Sequence, residues 1–254
     1  MMLVLVLGGT TEAGQIGRAL AAAGVPGVFS YAGRTAAPIT QPMLTRTGGF
    51  GGVDGLAEYL RQEGITHIID ATHPFARQIS KNAVDACART GTPLIAFSRE
   101  PWVAGPGDNW QHVGTVEQAA AALPDRPARI FLAIGKQYLQ PFAVRLQHFY
   151  LLRLVDPPAT TLALPDAEIV LARGPFTVEG DLALLRHHRI TLIVARNAGG
   201  EGSRAKIEAA RALGLPVIMI GRPQIDPPGL AERRTAQSVD EVMRWLDQSA
   251  RLGV

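Results

Sequence analysis

A glycine and threonine turn follows the first apolar segment of the chain, in the order Gly8, Gly9, Thr10, Thr11 and Glu12. Glycine lets the backbone approach a ligand closely, and a helix that starts after such a turn offers free N–H groups and a positive dipole end to an anion. The threonine hydroxyls could add hydrogen-bond donors, and Glu12 is expected on the first helical turn, facing the dipole. The turn therefore predicts a pyrophosphate site, although its spacing departs from G-x-G-x-x-G. A tight turn that only leads into a helix is the alternative.

A second candidate binding segment is Gly33, Arg34 and Thr35, which follows the next predicted strand. Proteins that bind NAD place an Asp or Glu about 20 residues after the glycine turn, where it bonds the ribose 2′-hydroxyl. Arg34 occupies the corresponding region here, and a guanidinium can hold a 2′-phosphate through two hydrogen bonds. We therefore expect NADPH as the cofactor, with this segment at its adenosine end. The alternative is that Arg34 only faces solvent.

The third candidate is Thr72, His73 and Pro74, directly after a predicted buried strand at residues 65–71. A residue before proline is held extended, which fixes the direction of the His73 backbone. An imidazole there could donate a proton or contact a carboxylate. A packing role for His73 is the alternative.

Cations follow nearly every predicted strand of the second half, and several polar residues accompany them. Only Lys81, Lys136 and Lys206 among the 25 basic residues are lysines, an arginine excess that codon bias also explains. Arginine is the preferred side chain for recognising carboxylates, so cations at one sheet edge predict a ligand with several negative groups. The residues expected to bind substrate are Arg99, Trp102, Arg173, Arg196, Asn197, Gly199 and Arg222.

The surrounding elements alternate between short apolar runs and helical segments, which is typical of a parallel sheet built from βαβ units. The halves also match each other at offsets of 123 to 127 residues, as in 91–99 against 214–222. This predicts an α/β protein with two tandem Rossmann-like domains, mainly parallel sheets and a cleft between them. We expect domains at residues 1–125 and 126–254, with the cofactor in the first and the substrate in the second. The last helix, residues 238–249, could pack back on the first domain.

Composition excludes several other classes of protein. The 254 residues are 47% hydrophobic and 19% charged, so general disorder is excluded, and the net charge of +3 is too diffuse for a nucleic-acid binder. The single cysteine, Cys87, forms no internal disulfide, and no Cys/His spacing suggests a metal site. The apolar start of seven residues is too short for a signal peptide or a membrane span. We therefore expect a cytoplasmic protein.

The chain resembles the precorrin-6A reductase family over essentially its full length. The most specific matching stretches are Gly48-Gly49-Phe50-Gly51-Gly52 and Asp70-Ala71-Thr72-His73-Pro74-Phe75-Ala76, joined by Arg99-Glu100-Pro101-Trp102 and Arg173-Gly174-Pro175-Phe176. The chain departs from the family pattern at Arg196 and Ala198, where Lys and Ser are common, so a role that needs an amine or a hydroxyl is not expected there.

The resemblance implies NADPH-dependent reduction of one double bond in the polycarboxylate macrocycle precorrin-6A, giving precorrin-6B in cobalamin biosynthesis. Thr72, His73 and Pro74 would then lie near the nicotinamide, and neighbouring pathway enzymes could make transient contacts. His73 and Lys136 are the candidate catalytic proton donors, and a bound water or a substrate carboxyl would serve as well. The rival hypotheses are another NADP-dependent reductase acting on a small acid and a sensor that binds NADP without catalysis.

Overall fold

The computed structural model describes residues 2–33, 38–222 and 233–252. The chain forms two compact units, Met1–Arg99 together with Pro223–Val254, and Glu100–Arg222. Each unit contains one six-stranded sheet in which every paired strand is parallel. The predicted fold class, tandem Rossmann-like α/β domains, is confirmed.

The first unit holds five strands from the start of the chain and one from its end. These are β1 (Val4–Leu7), β2 (Gly27–Tyr31), β3 (Leu44–Thr47), β4 (His67–Asp70), β5 (Leu94–Phe97) and β12 (Arg234–Ala236). Their order across the sheet is β12-β5-β4-β1-β2-β3. Its helices are α1 (Thr11–Ala22), α2 (Gly52–Gln62), α3 (Arg77–Thr90) and α7 (Val239–Leu252).

The second unit repeats this arrangement. Its strands are β6 (Asn109–Val113), β7 (Arg129–Ala133), β8 (Phe149–Leu154), β9 (Ala167–Leu171), β10 (Leu192–Arg196) and β11 (Pro216–Ile220), in the order β6-β11-β10-β7-β8-β9. Its α-helices are α4 (Val116–Ala121), α5 (Val178–His187) and α6 (Ala205–Ala212). Two 3-10 helices, Lys136–Tyr138 and Gln140–Phe142, lie between β7 and β8, where the first unit has α1.

The units differ from the predicted division at residue 125, because the sixth strand of each repeat lies in the sheet of the other repeat. After β5 the chain runs into β6, which pairs with β11, and after β11 it reaches β12, which pairs with β5. The chain therefore passes between units at residues 99/100 and again at 222/223. Neither exchanged strand has an apolar run that could reveal its partner, since β6 reads Asn-Trp-Gln-His-Val and β12 only Arg-Thr-Ala.

The central strands are buried because their side chains are apolar on both faces. All four residues of β1 are buried, and the face formed by Val4 and Val6 packs with α1 and α7. From α7, Val242, Trp245 and Leu246 belong to this core. The last helix therefore packs on the first unit.

The sequence predicts a helix over Phe75–Arg89, with Pro74 suited to its first turn, and both predictions need correction. Helix α3 begins at Arg77 and not at Phe75, because residues 74–75 form a turn closed by a hydrogen bond from the Ala76 N–H to the His73 carbonyl at 2.7 Å. Pro74 therefore precedes the helix and does not lie in its first turn.

Among the described residues, no helix is both long and apolar enough to cross a membrane.

Candidate functional site

The predicted pyrophosphate turn connects β1 to α1 at the carboxyl edge of the first sheet. Gly9 has a φ of 111°, in the region that favours glycine, and a Cβ added there would meet no atom within 4 Å. At Gly8, by contrast, a Cβ would overlap the ring of Phe29. The turn is therefore held tightly on its inner side and leaves open space beside Gly9, as a phosphate that approaches the backbone requires.

The Thr10 hydroxyl makes its hydrogen bonds within the protein. Its Oγ1 accepts a hydrogen bond from the Ala13 N–H at 3.1 Å, which makes it the N-cap of α1. The same hydroxyl donates to the Ala71 carbonyl at 2.9 Å, in the loop that follows β4. The expectation that this hydroxyl serves as a free donor to phosphate therefore needs correction, whereas Thr11, the first residue of α1, is exposed.

Glu12 and Arg99, which the sequence analysis assigned to different ligands, form one ion pair. Arg99 Nη1 lies 3.2 Å from Glu12 Oε2, and the two side chains are only 12% and 13% exposed. Burial lowers the pKa of Arg99, and the neighbouring Glu12 carboxylate opposes that change. The negative charge of Glu12 near the turn is thus matched by a guanidinium, which reduces the repulsion that Glu12 would exert on a phosphate there.

The predicted adenosine end is described only in part. Gly33 has a φ of 74°, and a Cβ added there would come into van der Waals contact with Thr47 and Gly48, whereas Arg34 and Thr35 lie outside the described residues. The nearby guanidinium of Arg46, on β3, donates to the Ser30 hydroxyl at 2.8 Å and to the Gly48 and Gly49 carbonyls at 3.0 Å. It also lies 3.8 Å from the Phe50 ring centroid. Arg46 therefore fixes the glycine-rich loop after β3, a role the sequence analysis did not assign.

A buried carboxylate at the end of β4 organises the Thr72-His73-Pro74 segment. Asp70 Oδ1 accepts hydrogen bonds from the Thr72 hydroxyl at 2.7 Å and the Thr72 N–H at 3.2 Å. Ser80, also buried, lies within hydrogen-bond distance of the same hydroxyl. His73 Nδ1 accepts from the Phe75 N–H at 3.2 Å. A neutral His73 ring therefore carries its proton on Nε2.

The second sheet carries the predicted row of cations at its carboxyl edge. Lys136 follows β7 and Arg173 follows β9, and both are exposed. Arg153 and Arg196 lie near the ends of β8 and β10, and Arg222 follows β11; these three are partly buried. Because all the strands are parallel, the five cations lie at one edge of this sheet.

Trp102 and Asn197 are bound to each other within the second unit. The Asn197 Oδ1 accepts from the Trp102 N–H at 2.7 Å, and its Nδ2 donates to the Trp102 carbonyl at 2.8 Å. The indole N–H of Trp102 donates to Gly200 at 2.8 Å, and the side chain is buried in the core of this unit. Both residues were predicted to bind substrate; the structure places them inside the scaffold that supports the loop after β10.

Arg222 and Gly199 complete this scaffold. The Arg222 guanidinium donates to the carbonyls of Asn197 and Ala198, both at 3.0 Å. Gly199 has a φ of 66°, and a Cβ there would overlap both the Glu100 carbonyl oxygen and Nη2 of Arg222. The loop therefore requires glycine at this position.

A buried charge cluster was missed by the sequence analysis. Lys206 on α6 and Asp181 on α5 are buried, and Asp181 pairs with Arg153 of β8. The sequence does contain a signal that Lys206 is buried. Lys206 lies three and four residues before Ala209 and Ala210, and this helical spacing places it on the buried face of α6.

Both sheets have the doubly wound strand order, and the first has a glycine turn that leads into a helix at its switch point. These features define a tandem Rossmann-like protein of the nucleotide-binding type. The family model described as precorrin-6x reductase CbiJ/CobK matches residues 3–247. The chain belongs to this family of oxidoreductases.

Individual relatives agree with this assignment. The precorrin-6A reductase of Rhodobacter capsulatus is 58% identical over 246 residues, which cover 97% of this chain and 96% of that protein. The cobalt-precorrin-6A reductase of Priestia megaterium is 37% identical over 183 residues, covering 68% of this chain and 71% of that protein. A solved structure of CobK precorrin-6A reductase, 58% identical, matches with a TM-score of 0.93 and covers 98% of this chain and 97% of its own.

Proposed function

We propose that this protein uses NADPH to reduce a macrocycle double bond of precorrin-6A, giving precorrin-6B in cobalamin biosynthesis. The observation that carries the proposal is that the two sheets have the same strand order but different residues and helices at their carboxyl edges. The first sheet has a glycine turn and a 12-residue helix at its switch point, whereas the second has short 3-10 helices there and a row of cations. A dinucleotide suits the first edge, and a polycarboxylate suits the second.

In the first unit, Gly8 through Thr11 would hold the pyrophosphate through backbone N–H groups, and Gly33, Arg34 and Thr35 would hold the adenosine end. Thr72 and Pro74 would lie near the nicotinamide, which supplies a hydride when the cofactor is bound. The hydrogen bonds of Asp70 to Thr72 keep this segment in one conformation, which favours a fixed nicotinamide position.

In the second unit, Arg173, Arg196 and Arg222 would attract the substrate carboxylates. Arg222 already holds the loop after β10, and Asn197 and Trp102 support the same loop. Gly199 would therefore contribute through the backbone shape it allows. In the first unit, Arg99 would act mainly by neutralising Glu12. A cytoplasmic location and transient contacts with neighbouring pathway enzymes belong to the same proposal.

The cofactor preference depends on Arg34. We expect Arg34→Ala to weaken NADPH binding by about 1.5–3 kcal/mol, since it would remove a charge-assisted contact to the 2′-phosphate. NADH lacks that phosphate, so its affinity should hardly change. Fluorescence titration of both cofactors measures the difference. An equal loss for both would assign Arg34 to the loop structure and not to the phosphate.

The proton that accompanies hydride transfer needs a donor, and His73 and Lys136 are the two candidates from this chain. We expect His73→Ala to lower kcat by about 10²–10⁴-fold if the imidazole is the general acid. The pH profile of kcat between pH 6 and 8 should also lose its histidine-dependent limb. An unchanged kcat across this range would leave the role to Lys136, a bound water or a substrate carboxyl.

The activity itself is tested by following NADPH absorbance with purified protein. Oxidation of NADPH that requires precorrin-6A supports the proposal. A comparison with cobalt-precorrin-6A is the natural second arm, because one relative is named for that substrate. NADPH oxidation with a small carboxylic acid alone would favour the other reductase class, and tight NADPH binding without oxidation of any of these compounds would favour a sensor.

A further inference from the structure

The buried lysine of the second unit is the feature that the proposed function does not yet use. Lys206 is 5% exposed, and its Nζ donates a hydrogen bond to the Ser203 carbonyl. The same Nζ lies 4.9 Å from the ring centroid of Trp102. A carbonyl and an aromatic face are weak compensation for an ammonium removed from water.

Three charged side chains act on Lys206, each from a different element. They are Asp181 on α5, Arg153 on β8 and Arg196 at the end of β10, and their effect on Lys206 is electrostatic. Strand β11, which also packs against α6, carries no titratable side chain. Asp181 Oδ1 pairs with Arg153, and within the described residues Asp181 Oδ2 has no hydrogen-bond partner. When Lys206 is protonated, this group of four therefore has three positive charges and one negative charge.

Arg153 and Arg196 connect this cluster to the cationic edge of the sheet. Arg196 is the last residue of β10, and its guanidinium carbon lies 4.9 Å from the Tyr138 ring centroid. Arg153 lies one residue before the end of β8 and stacks on Phe176 at 3.5 Å. The two guanidinium groups that act on Lys206 therefore lie at the edge of the sheet where carboxylates would bind.

We propose that Lys206 is a positioning residue whose protonation sets how strongly Arg153 and Arg196 attract a substrate carboxylate. The inference rests on the proposed function, since it assumes that this edge receives the polycarboxylate. With Lys206 charged, the cluster has a net charge of two, and with Lys206 neutral the net charge falls to one. Anion affinity should therefore be higher at low pH and lower at high pH.

The change in the protonation of Lys206 falls in the physiological pH range. The pKa of Lys206 is lowered to about 7; burial is the largest cause, the guanidinium groups of Arg153 and Arg196 act in the same direction, and Asp181 opposes them. Carboxylic acids have ordinary pKa values near 4, so the ligand carboxylates stay largely ionised between pH 6 and 8. Variants of Lys206 then show how much of any change in affinity over that range comes from this lysine.

The first test is binding of uroporphyrin, a polycarboxylated porphyrin, measured by fluorescence at pH 6 and pH 8. In the native protein we expect Kd to rise about three- to tenfold over this range. Lys206→Met should bind weakly at both pH values, whereas Lys206→Arg should bind tightly at both because its charge persists. Lys81→Met is the matched control, since Lys81 lies on exposed helix surface paired with Asp85, and it should follow the native protein. NADPH affinity serves as the readout of intact structure.

The second test needs no substitution at Lys206. The chain has only three lysines, so their side-chain carbon resonances can be assigned by NMR with Lys81 and Lys136 variants. Lys206 should titrate near pH 7 in the free protein. Because coupling between two binding equilibria is reciprocal, saturation with uroporphyrin should raise its midpoint by about 0.5 to 1 pH unit.

The outcomes separate this inference from the proposed function. Porphyrin binding that is pH-independent in the native protein, or equal in Lys206→Met and native protein, overturns the role of Lys206 while the reductase assignment stands. If saturation with uroporphyrin leaves the titration midpoint of Lys206 unchanged, the role of Lys206 is likewise overturned and the reductase assignment stands. Failure to bind porphyrin at any pH, with no NADPH oxidation on precorrin-6A, contradicts the proposed function and this inference together.

Discussion

Replacing Asp181 with alanine is expected to lower the free energy of unfolding by about 3–5 kcal/mol. Asp181 is 2% exposed and is paired with Arg153, which is 11% exposed, while Lys206 lies nearby in the core. Without the carboxylate, two buried cations would face each other without a counter-charge. Urea-induced unfolding at pH 6, where Lys206 is charged, measures the loss through the shift in midpoint.

The matched control is Asp85→Ala, which removes the carboxylate of a more exposed ion pair with Lys81. That pair is separated by four residues on one helix and should contribute only about 0.3–0.5 kcal/mol. The double variant Asp181→Ala, Lys206→Met should recover part of the loss, because it also removes one of the unpaired cations. If Asp181→Ala and Asp85→Ala destabilise the protein equally, the buried cluster has no special role in stability.

Gly199→Ala is expected to cost about 2–5 kcal/mol of stability and to weaken uroporphyrin binding with it. The backbone there has a φ of 66°, which costs about 1–2 kcal/mol for a residue other than glycine. The new Cβ would also overlap the Glu100 carbonyl and the Arg222 guanidinium, so the loop that Arg222 holds would have to move. Thermal unfolding and porphyrin titration measure the two effects.

Gly214→Ala separates backbone strain from steric overlap. Gly214 has a similar φ of 63°, but a Cβ there would meet no atom within 4 Å. It should therefore show only the strain, about 1–2 kcal/mol, and leave porphyrin binding unchanged. Similar stability losses in the two variants would show that the contacts of Gly199 with Glu100 and Arg222 add nothing to the cost.

The elements with apolar runs were predictable from the sequence alone. The apolar runs at Phe149–Leu154 and Pro216–Ile220 each predict a strand, and these bounds agree with β8 and β11 at both ends. The glycine turn and the helical spacing after it predict a helix that begins at Thr11, as observed. Such local signals suffice where burial on both faces of a strand requires a continuous apolar segment.

The edge strands β3, β6 and β12 gave no comparable signal. Strand β3 reads Leu-Thr-Arg-Thr and is mostly exposed, so it lacks the continuous apolar run of a buried strand. Strands β6 and β12 are likewise short or polar, and the match between the two halves of the sequence does not reveal their pairing. An edge strand needs little buried surface, and its partner is chosen by backbone hydrogen bonds that carry no sequence pattern.

The candidate site likewise has features that local sequence predicts and features that only the tertiary structure shows. Residue types and positions along the chain indicated an anion site at the glycine turn and cations at the strand ends, since both follow from local spacing. Which of those side chains contact one another required the tertiary structure: Arg99 pairs with Glu12, Asn197 holds Trp102, and Arg153 pairs with Asp181. By itself, therefore, the sequence determined the two sheets and the polar residues at their edges. Only the tertiary structure decided where β6 and β12 pair and which charges are buried together, because both depend on segments that lie far apart along the chain.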